Sequence, residues 1–419
     1  MILCVLFKPQ FKFGRICISS YWVVALVGAC VMLISGYADP REVGGALVAD
    51  SAINPIKILV LFISMTVLSV FLDEINFFKY LASKTLSYAG TSQLRLFIIL
   101  YVTVSVLTVF TSNDIIVLTF TPFICYFAKN AKIDPLPYLI AVFVAANTWS
   151  MALVIGNPTN IYLSTFNGID FLTYAKCMLL PTVAAGITAF LLILAIFHKK
   201  LSDPIQAEKS TVHISDKPLL AVGIIHLAVC TVALAVGSYI GVEMWLISLL
   251  AVVSLFVCNV AVGIYRKRLP KELIGCLKRA PWSLIPFVLS MFVLILAASK
   301  CGITEKLNEL LGHSDTVLRY GVASFLSANL INNIPMSVLF CSVIESLEGA
   351  ELTKAVYAVV VGSNIGAFLT PIGALAGVMW SSILREQNIK FGYIDFLKYG
   401  ALISIPTIAA ALGALMIVL

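Results

Sequence analysis

The sequence predicts an all-α polytopic membrane protein built from two inverted repeats, each with a re-entrant helical hairpin and a discontinuous transmembrane helix. Three observations lead there. The 419 residues are 60% hydrophobic and only 12% charged, with a mean hydropathy of +1.02, against roughly 25% charged residues in a soluble domain. Polar clusters of Asn, Gly and Pro interrupt several apolar runs, and these clusters recur in the same order in the two halves of the chain.

Apolar runs at 21–37, 182–197, 245–262 and 397–419 approach or exceed the ~20 residues that a helix needs to cross ~30 Å of hydrocarbon. Several such runs mean a helical bundle, because backbone polar groups in lipid must be satisfied within each helix. The first run follows Lys8, Lys12 and Arg15, as a signal peptide would. It lacks a small-residue cleavage site and is longer than a signal core, so it reads as the first span. The organisation expected is a segment 1–54 with that span, a first repeat over 55–200, connecting loops with two linking helices over 201–280, and a second repeat over 281–419.

Loops at 1–18, 73–95, 129–137, 198–217, 265–280 and 385–398 hold most of the 28 Lys and Arg. The remainder, Arg41, Lys57, Lys176, Lys300, Lys306, Arg319 and Lys354, fall on the other side. Positive charge favours the cytoplasm, so the N-terminus is expected inside, the C-terminus outside, and the protein in a bacterial plasma (inner) membrane. That assignment requires the segments 96–128 and 317–344 to enter and leave on one side. Each has polar residues at its middle, Thr111-Ser112-Asn113-Asp114 and 329–333, which are the expected hairpin tips. Non-helical backbone at membrane depth is tolerated where protein or a water-filled cavity surrounds it, so each tip should line a site. Eight to nine full spans and two hairpins result.

The duplication shows in three places. Ser64-Met65 followed by Asp73-Glu74 and Asn76 matches Ser290-Met291 followed by Ser299-Lys300 and Gly302. Asn113-Asp114 matches Asn332-Asn333, and Asn147 with Gly156 matches Asn364 with Gly373, all at near-constant offsets. The topology starts the first copy outside and the second inside. Inverted repeats with discontinuous helices are the architecture of secondary transporters, with the site at the bilayer midplane between the copies.

The interrupted spans run from Asn147-Thr148 to the break at 155–160, and from Ser363-Asn364 to the break at 370–373. Pro removes a backbone donor and Gly permits positive φ, so a helix should unwind there. Freed carbonyls can hold a cation and exposed helix N-termini an anion; a plain proline kink is the bland alternative. The candidate solute- or ion-binding residues are Ser112, Asn113, Asp114, Asn147, Thr148, Gly156, Asn157, Thr159, Asn160, Asn329, Asn332, Asn333, Ser363, Asn364, Thr370 and Gly373. Buried amides need partners, so part of this set can instead cross-link helices. Asp114 is the one acid that the topology places deep in the membrane, which marks it as a proton carrier or cation ligand. A sodium site would draw on Asn113, Asp114 and Asn332. Asp73 and Glu74 are expected at the interface.

No catalytic residues or metal-ligand set emerge. The ten cysteines are scattered singly, the four histidines form no HExxH pair, and there is no GxxxxGK[ST] loop. An enzyme is therefore not indicated, nor is ATP binding by this chain itself, and the net charge of +7 reads as orientation signal rather than nucleic-acid binding. No cofactor is expected beyond Na+ or H+ as coupling ion. The partners called for are a small-molecule or ion substrate and the lipid bilayer; a homodimer is compatible with the sequence without being dictated by it.

At these motifs, from about Pro55 to Leu419, the sequence resembles the ion transporter superfamily. That group includes the arsenite-pump membrane subunit, citrate and metal permeases, sodium/dicarboxylate symporters and D-type sodium/proton antiporters. Ser112-Asn113-Asp114 looks like its first hairpin tip and 155–160 like its first unwound loop. Asn332-Asn333 looks like the second tip, and Ser363-Asn364 with 370–373 like the second loop. The Asn-Asp tip is nearer the arsenite-pump branch than the Ser-Asn-Thr tips of the dicarboxylate symporters. The resemblance implies secondary transport by an elevator motion of the hairpin-bearing domain. The function expected is secondary active transport of a small anion, an arsenite-like oxyanion or metalloid, or an organic anion, coupled to protons or sodium. The rivals are a sodium/proton antiporter and a non-transporting membrane receptor or assembly subunit.

Overall fold

The computed structural model describes residues 10–13, 16–49, 54–205, 216–312 and 314–419. Lys8, Arg15, Cys4, His213, His313 and residues 206–215 of the 198–217 loop lie outside them. The described residues are helical almost throughout, and seven helical stretches among them are long and apolar enough to cross a membrane. One departure from the all-α expectation is a two-stranded antiparallel ribbon, β1 (Gln10–Phe13) and β2 (Ile16–Ser19), in the segment read as an N-terminal loop. The helices that follow are α1 (Ser20–Ile34), α2 (Pro40–Val48), α3 (Pro55–Glu74), α4 (Phe77–Ala89), α5 (Gln93–Phe110), α6 (Asn113–Ala131), α7 (Leu136–Trp149), α8 (Pro158–Phe166) and α9 (Phe171–Leu201). Then come α10 (Lys217–Ile240), α11 (Met244–Tyr265), α12 (Lys271–Arg279), α13 (Leu284–Lys300), α14 (Ile303–Leu311), α15 (Thr316–Ile331), α16 (Asn333–Ile344), α17 (Gly349–Gly366), α18 (Leu375–Glu386) and α19 (Tyr393–Val418).

Two segments read as loops contain helices. Residues 73–95 hold α4 and residues 265–280 hold α12, short helices whose charges masked their periodicity. Of its nine residues α12 buries Cys276 alone. A helix this short with one sheltered face suits the membrane–water boundary.

The order α3 to α9 recurs as α13 to α19: a span, a short helix, a helix pair joined by a tight turn, a broken span, and a closing span. α3 and α13 run in opposite directions. At the end of α3, Asp73 and Glu74 accept from Arg279, which precedes α13. At the end of α13, Lys300 pairs with Glu42 of α2, which precedes α3. With 20 residues at 1.5 Å each, α3 is about 30 Å long.

Both helix pairs are hairpins. Gln93 opens α5 and Ala131 closes α6, yet both line one pocket, and Tyr138 donates its hydroxyl to Gln93 Oε1 at 2.9 Å. The chain therefore reverses at Thr111-Ser112. In the second pair Asn308 Nδ2 reaches Tyr320, near the start of α15, at 2.9 Å and the Val343 carbonyl, near the end of α16, at 2.8 Å. The hairpin bases sit at opposite ends, one reached from the Asp73 end of α3 and the other from the Lys300 end of α13.

The core lies in the broken spans. α7 is buried from Pro137 to Thr148 and α17 from Ala355 to Gly366. α10 and α11 expose Ile225, Val229, Val232, Val253 and Val257, as lipid-facing helices do. α9 packs along α19. Reciprocally, α6 packs on α18 and α16 on α8, so each hairpin rests on the broken helix of the other half.

Candidate functional site

Each broken span comes apart where the sequence removes helix hydrogen bonds. α7 ends at Trp149, two 3-10 turns follow (Ser150–Ala152 and Val154–Gly156), and α8 restarts at Pro158. Asn157 is extended and caps α8 by accepting from the Thr159 N–H at 3.2 Å and its hydroxyl at 3.1 Å. α17 runs to Gly366, so Ser363 and Asn364 are helical rather than part of the break, which spans 367–374. The two glycines at matching positions are there for the same reason. A Cβ on Gly156 would lie 2.2 Å from the Ser150 carbonyl oxygen, and one on Gly373 would lie 2.4 Å from that of Gly366. At each break the chain folds back onto the last turn of the helix it leaves.

Asn364 ties the halves together. Its Oδ1 accepts from Asn157 Nδ2 and from the Ser150 hydroxyl, both at 3.0 Å. Its Nδ2 donates to Asn160 Oδ1 at 2.7 Å and to the Val360 carbonyl at 2.8 Å. Asn160 Nδ2 in turn reaches the Ser150 and Leu153 carbonyls at 2.8 and 3.2 Å. Ser150, Asn157, Asn160 and Asn364 are all buried, and such a network holds only when its members are satisfied together.

The first hairpin tip is less tied. Asn113 Nδ2 donates to Asn147 Oδ1 at 3.1 Å, while Asn147 Nδ2 bonds the Phe143 carbonyl within its own helix at 2.8 Å. The Ser112 N–H meets Ser69 Oγ at 3.4 Å. Asn113 Oδ1 and Thr148 Oγ1 are buried without a hydrogen-bond partner among the described residues. Asp114 is half-buried in the first turn of α6, and its carboxylate takes no hydrogen bond or ion pair among the described residues.

The second tip is sewn to its neighbour. Asn332 (φ 75°) donates to the Ile372 carbonyl at 2.9 Å and caps Ile334 at 3.3 Å, and the Asn333 N–H bonds the Gly373 carbonyl at 3.0 Å. Asn329, expected at the tip, is still in α15. It donates to the Gly366 carbonyl at 3.0 Å and accepts from the Thr370 N–H and hydroxyl at 3.1 and 2.7 Å. Ser363 Oγ lies 3.5 Å from Ser337 Oγ.

Four half-helices, α6, α8, α16 and α18, thus begin at the polar breaks. Asn157 and Asn332 cap α8 and α16, whereas α6 and α18, which pack on each other, have no side-chain cap. A helix start without a side-chain cap is an anion-binding feature, although at α18 the Gly377 N–H is taken by the Ala374 carbonyl.

The structure therefore gathers Ser150, Asn157, Asn160 and Asn364 in one cluster, Asn113 with Asn147 in a second, and Asn329, Asn332, Thr370 and Gly373 in a third. Asp114 makes no hydrogen bond to Asn157, which turns to Asn364, and none joins Asp114 to Asn332, both of whose amide atoms are already used. Ser150 and Ser69 were missed; Ser150 carried a signal, a hydroxyl at the last turn before the first break. Asp73 is 6% exposed, held between Thr119 of the hairpin (2.9 Å) and Arg279 (2.6 Å) where α12 folds over the end of α3, a pairing that the sequence did not show.

The citrate transporter family (CitMHS) matches residues 2–355. The chain belongs to that family. Relatives of this citrate transporter family member include the arsenical pump membrane protein of Escherichia coli (strain K12), 26% identical over 412 residues, with 93% of this chain and 92% of that protein covered. The arsenical pump membrane protein of Yersinia enterocolitica is 25% identical over 369 residues, with 84% of each covered. The crystal structure of the Alcanivorax borkumensis YdaH transporter matches with a TM-score of 0.50 at 14% identity, covering 100% of this chain and 94% of that one, which shows a shared fold. This family member is a multi-pass membrane transporter.

Proposed function

We propose that this chain is a secondary active transporter of a small anion, of the arsenite-like oxyanion, metalloid or organic-anion type, coupled to a proton or sodium gradient. The observation that carries the reading is the Asp114 carboxylate, unpartnered among the described residues, at the uncapped start of α6 beside the orphaned Asn113 oxygen. A charge left without a partner at membrane depth is costly unless a proton or cation neutralises it, and that dependence is what a coupling site needs. The α6 and α18 N-termini supply donors for an anion in the same region. The arsenical pump membrane proteins among the relatives point to arsenite-type cargo. The antiparallel α3 and α13 and the oppositely based hairpins support two inverted repeats with the site between them. The basic loops support a cytoplasmic N-terminus.

A sodium/proton antiporter is the second reading, favoured by a lone carboxyl that pairs with no basic residue among the described residues. Flux in proteoliposomes with imposed pH or sodium gradients separates the two. Cargo uptake driven by either gradient supports the first reading, and sodium–proton exchange without cargo supports the second. Protein that moves none of these solutes while binding a partner tightly would be a receptor or assembly subunit.

A further inference from the structure

The two hairpin tips correspond in sequence but not in bonding. At the second break the Ile372 and Gly373 carbonyls accept from Asn332 and from the Asn333 N–H at the tip, and the Gly366 carbonyl, at the end of α17, accepts from Asn329 of the same hairpin. Asn329 Oδ1 is filled twice by Thr370. A Cβ on Gly373 would also lie 2.9 Å from that oxygen, so the tip and break are in van der Waals contact as well. Nothing comparable holds the first tip. No hydrogen bond runs from Ser112, Asn113 or Asp114 to the break at 150–157 among the described residues, and Asn113 Oδ1, on a residue 2% exposed, is left without a donor. Asn333 stands where the first tip has its acid, so the second tip also lacks a titratable group.

We infer that the two halves have divided their tasks: ion binding is confined to the first tip at Asn113 and Asp114, one ion per cycle, and the second tip is a permanently docked structural strut. This rests on the coupled-transport reading above. Duplicated architecture by itself predicts two equivalent ion sites. The hydrogen bonds on the second side remove one of them, because a cation there would have to displace amide donors already seated on the same carbonyls.

The test is uptake of arsenite and citrate, as probes, into proteoliposomes at graded pH or sodium, for the wild type, Asn332→Ala and the double variant Asp114→Asn/Asn333→Asp. The wild type is expected to show an ion dependence with a Hill slope of ~1, as one site allows. Asn332→Ala is expected to lower the thermal transition and the maximal rate while its half-saturating ion concentration stays within about twofold of wild type, since the ion's own ligands are untouched. The double variant is expected not to regain ion dependence. A wild-type slope near two, a large shift of the half-saturating concentration in Asn332→Ala, or rescue by the double variant would overturn the inference. Should Asn332→Ala fail to fold, the slope and the double variant decide. Wild-type flux indifferent to both ions is a different failure, since it removes coupled transport itself.

Discussion

Asn157 Nδ2 donates to Asn364 Oδ1 at 3.0 Å, joining two residues 207 positions apart across the two halves of the molecule. Because Ser150 and Asn160 also converge on Asn364, the first broken helix is held to the second by side chains rather than by backbone.

Asn364→Ala should therefore be among the most damaging single changes. It strands the Asn157 amide, at roughly 1–3 kcal/mol when left buried and unpaired, and leaves the Asn160 oxygen only the Thr159 hydroxyl at 3.5 Å, while the Ser150 hydroxyl keeps the Asn147 carbonyl at 2.9 Å. A large fall in thermal transition in detergent is expected, well beyond that of Asn333→Ala. Equal transitions for the two variants would mean that the cluster is not what joins the halves.

The glycines make a matched pair of predictions. Gly156→Ala and Gly373→Ala each drive a methyl into a backbone carbonyl that cannot move aside, and overpacking of this kind costs about 1–3 kcal/mol or more. Both variants should express poorly or melt early. Gly413→Ala, where a Cβ meets nothing within 4 Å, is the control. Wild-type melting of Gly156→Ala would show that the first break is not folded back as described.

The Asp73–Arg279 pair can be tested by a double-mutant cycle. Removing Arg279 leaves a carboxylate that is 6% exposed with the Thr119 hydroxyl and little else, and breaking a buried pair costs about 3–5 kcal/mol. Arg279 is itself 44% exposed, so the lower end is expected. Arg279→Ala should destabilise more than Arg279→Ala combined with Asp73→Asn. Additive effects would place the pair at a solvated surface.

Hairpin sidedness is checked by labelling single cysteines in a cysteine-free background. Lys84→Cys and Lys129→Cys flank the first hairpin and are exposed. Both should react from one side of the membrane, the cytoplasmic one. Labelling from opposite sides would make one arm a separate crossing.

The breaks, tips and repeat were legible because Gly, Pro and Asn act on the chain locally. Pro158 and Gly156 end a helix wherever they sit, and Asn147 and Asn364 stand out in apolar surroundings. What was not legible depends on packing between distant segments. Nothing in the sequence marks Asn157 as the partner of Asn364 rather than of Asp114, or Asp73 as buried, since α12 has to fold over it first. Asn329 was placed at the tip because an Asn so near Asn332-Asn333 reads as part of the turn, whereas its side-chain amide bonds the Phe325 carbonyl of its own helix and the Gly366 carbonyl of α17, a contact between distant segments.

Asp114→Asn preserves size and recreates the Asn-Asn pair already present at Asn332-Asn333. Expression and melting should stay near wild type, while coupled uptake falls at least tenfold, about 1.4 kcal/mol in the barrier, and loses its dependence on pH or sodium. Retained ion-dependent flux would make Asp114 structural.

The site can be located by a cryo-EM map of the protein in lipid nanodiscs, saturated with whichever solute and ion the flux panel selects. Added density is expected at the start of α6, within contact of Asn113 and Asp114 and facing the α18 N-terminus, with the Asn332–Ile372 bond intact. Density seated only at the second tip, or away from both hairpins, would contradict this placement.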